Sequence, residues 1–235
     1  MERNDDMSIT VSMMSFCVPN NKPTQEEVDA KVKAHQLWLK KMDGGERADF
    51  REMNLENADF SGKDLSEAQF DGSFLKDANF DSAKLVEASF CQTYFPKASF
   101  KQADLTEAEF IKAHGLGANF NKATLGGVDC YTAAFWDCDF TGADLTEAAM
   151  ICTQLCDCEF KEANLAAANM MLANLDYASF TSSNCQEAVF IWAGNFEYAD
   201  FENADLTGAV LEDMTEFDVK TFEQYNSTNV KEQTS

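Results

Sequence analysis

Large apolar residues recur every five positions along most of this chain, a spacing that suits neither an amphipathic helix nor an ordinary strand. From residue 46 to residue 213 the units read like NADF, GADLTEA and NADLTGA. The centres run Phe50, Leu55, Phe60, Leu65, Phe70 and onward to Phe190. One extra residue within Ile191-Trp192-Ala193-Gly194-Asn195 shifts the register, and the centres resume at Phe196, Phe201, Leu206 and Leu211. Of these 33 centres 28 are Leu or Phe, and Ala stands two residues earlier in 23, so each unit offers one large and one small apolar group. Self-similarity at a fixed period predicts a solenoid.

A different period precedes the repeat. Thr24 and Glu27 form a capping-box pattern, and Val28, Val32, His35, Leu39 and Met42 share one helical face. The expected helix covers 24–42, with Gly44-Gly45 as its stop and His35 packed within that face or at its rim. A weaker version follows the repeat: Thr215 with Asp218, then Phe217, Phe222 and Tyr225.

The repeat also sets the coil length. Phe recurs at steps of ten, which stacks Phe on Phe in a twenty-residue coil but Phe on Leu in a fifteen-residue one. Residues 111, 131, 151, 171 and 191 are Ile, Tyr, Ile, Met and Ile, whereas 101, 121, 141, 161 and 181 are Lys, Asn, Thr, Lys and Thr. Only a twenty-residue coil puts these sets on different sides.

These units resemble the pentapeptide repeat family, whose motif is A(D/N)LXX, over residues 46–213. The resemblance implies an all-β solenoid, a right-handed quadrilateral β-helix of four pentapeptides per coil. Centre and Ala positions would face inward and the other three outward. About eight coils at a strand spacing of ~4.8 Å make a rod of ~40 Å. Gly115 replaces a centre residue, so a local defect is expected there. The expected layout is a poorly ordered leader (1–23), an N-terminal capping α-helix (24–45), the β-helix (46–213), and a short C-terminal helical cap with a disordered tail (214–235). The N-terminal helix would cover the first coil's open edge.

Charge and composition narrow the function. The chain has 235 residues and a formal net charge of −23, yet 45% of it is hydrophobic, enough to fill a core. So acidic a protein is not expected to bind nucleic acid, and no apolar run is long enough to predict a membrane span. The N-terminus lacks the basic start and long apolar core of a signal peptide, so a cytoplasmic protein is expected. The eight cysteines read as small apolar fillers in a reducing compartment. Cys152, Cys156 and Cys158 suggest zinc only until the repeat turns Cys158 inward and the other two outward on different faces. No metal, no cofactor and no enzymatic activity are expected: a filled rod has no cleft, and the Gly-Gly pairs lack the Lys of a phosphate loop.

Two outer surfaces remain as candidates. Ile111, Tyr131, Ile151, Met171, Leu172, Ile191 and Trp192, with Leu116 and Trp136 beside them, make an apolar stripe. A soluble monomer rarely exposes such a stripe, which reads as a surface for a protein partner or a second copy in a homodimer. The competing reading has the leader or the tail folded over it. The other candidate is acidic: Glu67, Glu87, Glu107, Glu147 and Glu187 in steps of twenty, with Asp129, Asp139 and Asp144. Residues 123–213 carry 16 acids and one base, Lys161, against 14 acids and 9 bases in 46–122. Some pentapeptide repeat proteins, including those linked to quinolone resistance, imitate DNA and bind DNA gyrase. The resemblance therefore implies gyrase as an alternative partner.

Overall fold

The computed structural model describes residues 18–194 and 198–210. The leader before Val18, the centres Phe196 and Leu211, and the expected C-terminal cap at 214–235 lie outside the described residues.

Each five-residue unit contributes one bridge and one turn. In the unit centred on Leu55, the Leu55 N–H donates to Phe74 O at 2.7 Å, and Phe74 N–H donates back to Met53 O at 2.9 Å. Ala58 N–H then closes a turn on Leu55 O at 3.0 Å, with Asn57 at a φ of 62°. The pattern repeats from Asp49↔Gln69 to Asn174↔Gly194, always parallel and twenty residues apart. From Ser179↔Asp200 onward the separation is 21, so the extra residue is absorbed between Gly194 and Asp200. Backbone polar groups are thereby paired coil to coil, which leaves the side chains to choose inside or outside.

Inside, the centres are sealed: Phe50, Leu65, Phe80, Leu105 and Phe160 have no exposed surface. Phe60, Phe80 and Phe100 stack parallel at 4.8 Å, and Phe70 meets Phe80 edge-on at 5.4 Å. This alternation is the arrangement aromatic quadrupoles favour. Gly115 produces no break. A Cβ there would fall 2.3 Å from the Phe95 ring, so Phe95, larger than the usual Leu, occupies the vacated space. Instead of a defect, the site holds two three-residue strands, β1 (His114–Leu116) and β2 (Ala134–Trp136), paired with Gly115 opposite Phe135.

Helix α1 (Gln25–Leu39) starts at Thr24, whose hydroxyl accepts from Glu27 N–H while the Glu27 carboxylate accepts from Thr24 N–H at 2.8 Å. Val28 and Val32 join the solenoid's core. His35 is fully buried: Ala48 N–H donates to its Nδ1 at 3.0 Å, so the proton sits on Nε2 and is donated to Ser66 O at 3.0 Å. The helix ends earlier than its sequence pattern suggests. Lys41 takes a φ of 53°, with Lys41 N–H on Trp38 O and Met42 N–H on Leu37 O. That closing motif turns Met42 out to solvent, so Met42 leaves the buried face and Gly44-Gly45 are not the stop. Gly45 is needed for another reason: any Cβ would lie 2.4 Å from Trp38 N.

Candidate functional site

Two of the three expected outward positions in each unit prove to be turn residues, and the third lies on a face. Each coil has four turns, and the two positions after every centre project from an edge between faces. The second of these is left-handed at every described turn from Glu52 to Gly208, mostly without glycine. The apolar stripe therefore lines an edge rather than a flat face.

That first edge carries Ile111, Tyr131, Ile151, Met171, Leu172, Ile191 and Trp192 in coil-to-coil succession, tied by Lys112 N–H on Tyr131 O, Thr132 N–H on Ile151 O and Leu172 N–H on Ile191 O. Tyr131, Leu172 and Trp192 are 47%, 44% and 52% exposed, while the Ile and Met members are half-buried. Leu116 and Trp136 occupy the next edge. Between the two edges lies the face of Phe74, Tyr94, His114, Ala134, Gln154, Asn174 and Gly194. His114 stacks on Trp136 at 6.5 Å, and burial depresses its pKa. Sequence reasoning missed Tyr177 and Tyr198 on this second edge, both about half exposed and stacked at 4.6 Å. They are 21 residues apart, so the one-residue slip hides them from a twenty-step scan.

The acidic residues separate into two kinds. Glu67, Glu87, Glu107, Glu147 and Glu187 form one column in left-handed turn positions on the edge opposite the second one. The aspartates instead support the turns. Asp129 accepts Tyr131 N–H at 2.9 Å, Asp139 accepts Thr141 N–H at 2.9 Å, and Asp144 accepts Thr146 N–H at 3.2 Å and its hydroxyl at 2.6 Å. Asn54, Asn79, Asn119 and Asn164 do the same two residues ahead. This local bond is the physical content of the Asp/Asn motif position. Asp144 and Asp129 lie on the faces flanking the Glu column, while Asp139 is one face farther away.

The cysteines are mainly packing. Cys138 and Cys158 donate to the carbonyls of Gly115 and Phe135 at 3.2 and 3.0 Å. Burial pushes the Cys130 and Cys158 thiols far up, Cys185 to about 12 and Cys156 to about 11, which keeps them protonated and poorly nucleophilic. Cys152 and Cys156 sit on different edges. Among the described residues, no three His, Cys, Asp or Glu side chains converge as metal ligands, and no helix is long and apolar enough to cross a membrane.

A shallow groove of about 760 Å³ runs along the first edge over the early coils. It is lined by Glu52, Gly72, Gln92, Lys112 and His114, with Pro19, Asn20 and Asn21 along it.

Comparison with known proteins adds the following. A family model described as pentapeptide repeats matches eight copies over residues 46–81, 83–114, 98–129, 116–148, 138–176 and 168–213. A trypsin-treated variant of QnrB1, described as a plasmid-mediated fluoroquinolone resistance protein, superimposes with a TM-score of 0.61 at 17% identity, over 79% of this chain and 94% of that one. HetL, a pentapeptide repeat protein involved in heterocyst differentiation regulation from the cyanobacterium Nostoc sp. strain PCC 7120, is 24% identical over 76% of this chain and 91% of its own, with a TM-score of 0.29. No curated protein sequence matches the chain. The first likeness establishes a β-helix solenoid and nothing about partners.

Proposed function

This chain belongs to the pentapeptide repeat family, and from that premise we propose that it is a non-catalytic, cytoplasmic protein-interaction scaffold that self-associates through its first edge. The observation carrying this reading is the contiguous exposure of Tyr131, Leu172 and Trp192 among half-buried Ile and Met side chains. Apolar groups this exposed bury little surface within the fold, and at the left-handed positions of Leu172 and Trp192 they cost about 1–2 kcal/mol relative to glycine. The finer architecture belongs to the same proposal: a right-handed, four-sided rod of about eight coils, with α1 as its N-terminal cap.

The test uses that backbone. Leu172 and Trp192 have φ of 59° and 50°, so Leu172→Gly with Trp192→Gly removes two apolar knobs while relaxing the turns. Light scattering is expected to show a lower mass for the double variant, with an unchanged or higher unfolding midpoint. An unchanged mass sinks the self-association reading.

A second reading is an acidic mimic of DNA that binds gyrase, favoured by the Glu column on its own edge. Charge reversal at Glu107, Glu147 and Glu187 tests it better than at the aspartates, whose carboxylates hold turns. Gyrase supercoiling should be inhibited by the parent protein and spared by this variant; no inhibition by the parent would falsify the mimicry.

A further inference from the structure

We propose that the second edge, from Trp136 up to Tyr198, binds an arginine-bearing protein segment in a polyproline II conformation. This surface is separate from the first edge and from the Glu column, so the proposal stands apart from both readings of those surfaces.

The edge combines two chemistries in one line. Its turn residues climb through Trp136 and Asp137, then Asp157, then Asp176 and Tyr177, and reach Tyr198. The succession is fixed coil to coil: Asp137 N–H donates to Cys156 O at 3.1 Å, and Asp157 N–H donates to Asp176 O at 2.9 Å. Trp136 is held by its stack on His114 at 6.5 Å. Tyr177 and Tyr198 are 55% and 51% exposed and stack at 4.6 Å with their planes 6° apart. Tyr177 keeps a left-handed φ of 57°, a conformation that suits glycine or asparagine better. The turn itself does not call for a ring, since the equivalent residues one and two coils earlier are Asp157 and Asp137, at φ of 57° and 56°.

Charge selects the occupant. From residue 116 to residue 198 the turn residues of this edge include no Lys, Arg or His, and the three aspartates lie among the rings. A carboxylate one coil step, ~4.8 Å, below an aromatic ring suits a guanidinium. The planar group stacks on the ring while its N–H groups donate to the carboxylate. An ammonium is a strongly hydrated point charge and gains less from the ring. A neutral apolar partner would desolvate the aspartates with no counter-charge.

Spacing selects the conformation. Trp136 and Tyr177 are two coil steps apart, ~9.6 Å. In a polyproline II helix every third residue returns to the same side after ~9.3 Å. Arginines three apart therefore reach Trp136 and Tyr177 in turn, with Asp137 and Asp157 beside them. Prolines between them suit an aromatic ridge.

The experiment titrates the full chain into three fluorescein-labelled peptides: three repeats of Arg-Pro-Pro, of Lys-Pro-Pro, and of Arg-Pro-Pro-Pro as a spacing control. Anisotropy is read at about 150 mM salt, where long-range attraction is screened. The Arg-Pro-Pro peptide is expected to bind at least about fivefold tighter than either of the others. Tyr177→Asn, which suits the left-handed turn, should weaken it at least about fivefold with an unchanged denaturation midpoint. Asp157→Asn, on a separate turn, should weaken it about threefold. Glu147→Gln with Glu187→Gln, on the opposite edge, should leave it within about twofold. No measurable binding overturns the proposal. So does equal affinity for the Arg-Pro-Pro and Lys-Pro-Pro peptides, or an equal loss in the Glu147 and Glu187 variant, because either result assigns binding to net charge.

Discussion

The two halves of the solenoid follow one backbone rule and differ in what fills and coats it. Across residues 46–122 both Phe columns are complete: Phe50, Phe70, Phe90 and Phe110 on one side, Phe60 to Phe120 on the other. Nine bases are spread over that half, and all ion pairs among the described residues lie between Lys22 and Lys84. Beyond residue 123 the second column continues through Phe140, Phe160, Phe180 and Phe201. The first softens to Cys130, Met150 and Met170 before Phe190 restores it. It softens beneath the middle of the apolar edge, behind Tyr131, Ile151 and Met171, with Phe110 and Phe190 at the two ends. Backbone bridges that close every five residues need only an apolar centre, so core chemistry is free to vary with surface use. Met and Cys beneath the edge proposed for association make a more adaptable backing than stacked Phe.

The sharpest way to break this contrast is to remove one core residue from each half. Phe80 stacks on Phe60 and Phe100 at 4.8 Å and meets Phe70 and Phe90 edge-on. Phe80→Ala is expected to cost about 3–5 kcal/mol in chemical denaturation. Met170→Ala should cost less, about 2–3 kcal/mol, because a pliable site collapses around the loss. Comparable losses would show that the columns are equally rigid.

A smaller effect is expected at the junction. Gly115→Ala sets a methyl 2.3 Å from the Phe95 ring and should cost about 1–3 kcal/mol. Phe95→Leu in the same chain should recover most of it. Failure of that rescue would mean Gly115 serves the backbone rather than the ring.

The family, the twenty-residue register, the inward centres and the capping box could all be read from residue order, because each depends on short spacings. Other features depend on shape in three dimensions. Five-residue arithmetic separates inward from outward but not face from edge, so the stripe's place in turns was invisible. Gly115 suggested a gap only because Phe95, twenty residues earlier, reads as an ordinary centre. Met42 fits the helical face by spacing, yet the left-handed Lys41 ends the helix first.

The N-terminal half also carries a titration absent from the other half's described residues. Burial depresses the pKa of His35 below its ordinary 6.5, opposed by its bond to Ser66 O and by Asp64 and Glu67, and assisted by Arg47. The imidazole is neutral in the fold and protonates more readily in the unfolded chain. Its contribution is therefore full above about pH 6.5 and lost as pH falls through the lowered folded value. Amide exchange in α1 should accelerate relative to the later coils between pH 7 and 5, after correction for intrinsic rates. Equal responses in both regions would remove His35 as the cause.

The smallest effects should differ in sign. Asp64 accepts Ser66 N–H at 3.2 Å and also faces Lys84 Nζ at 3.8 Å. Asp144 makes the equivalent bond to Thr146, plus one from Asn164 Nδ2 at 3.1 Å, in a half with 16 acids and one base. Asn can accept the same turn N–H, as Asn164 itself does. Asp64→Asn therefore loses an exposed ion pair and should cost between zero and about 1 kcal/mol. Asp144→Asn loses only repulsion and should stabilise by up to about 0.5 kcal/mol at low ionic strength, a gain that fades as added salt screens the surface. Denaturation midpoints in low and high salt decide it: destabilisation by both substitutions would mean that the aspartates matter for their hydrogen-bond strength and that the excess charge of the later coils is energetically idle.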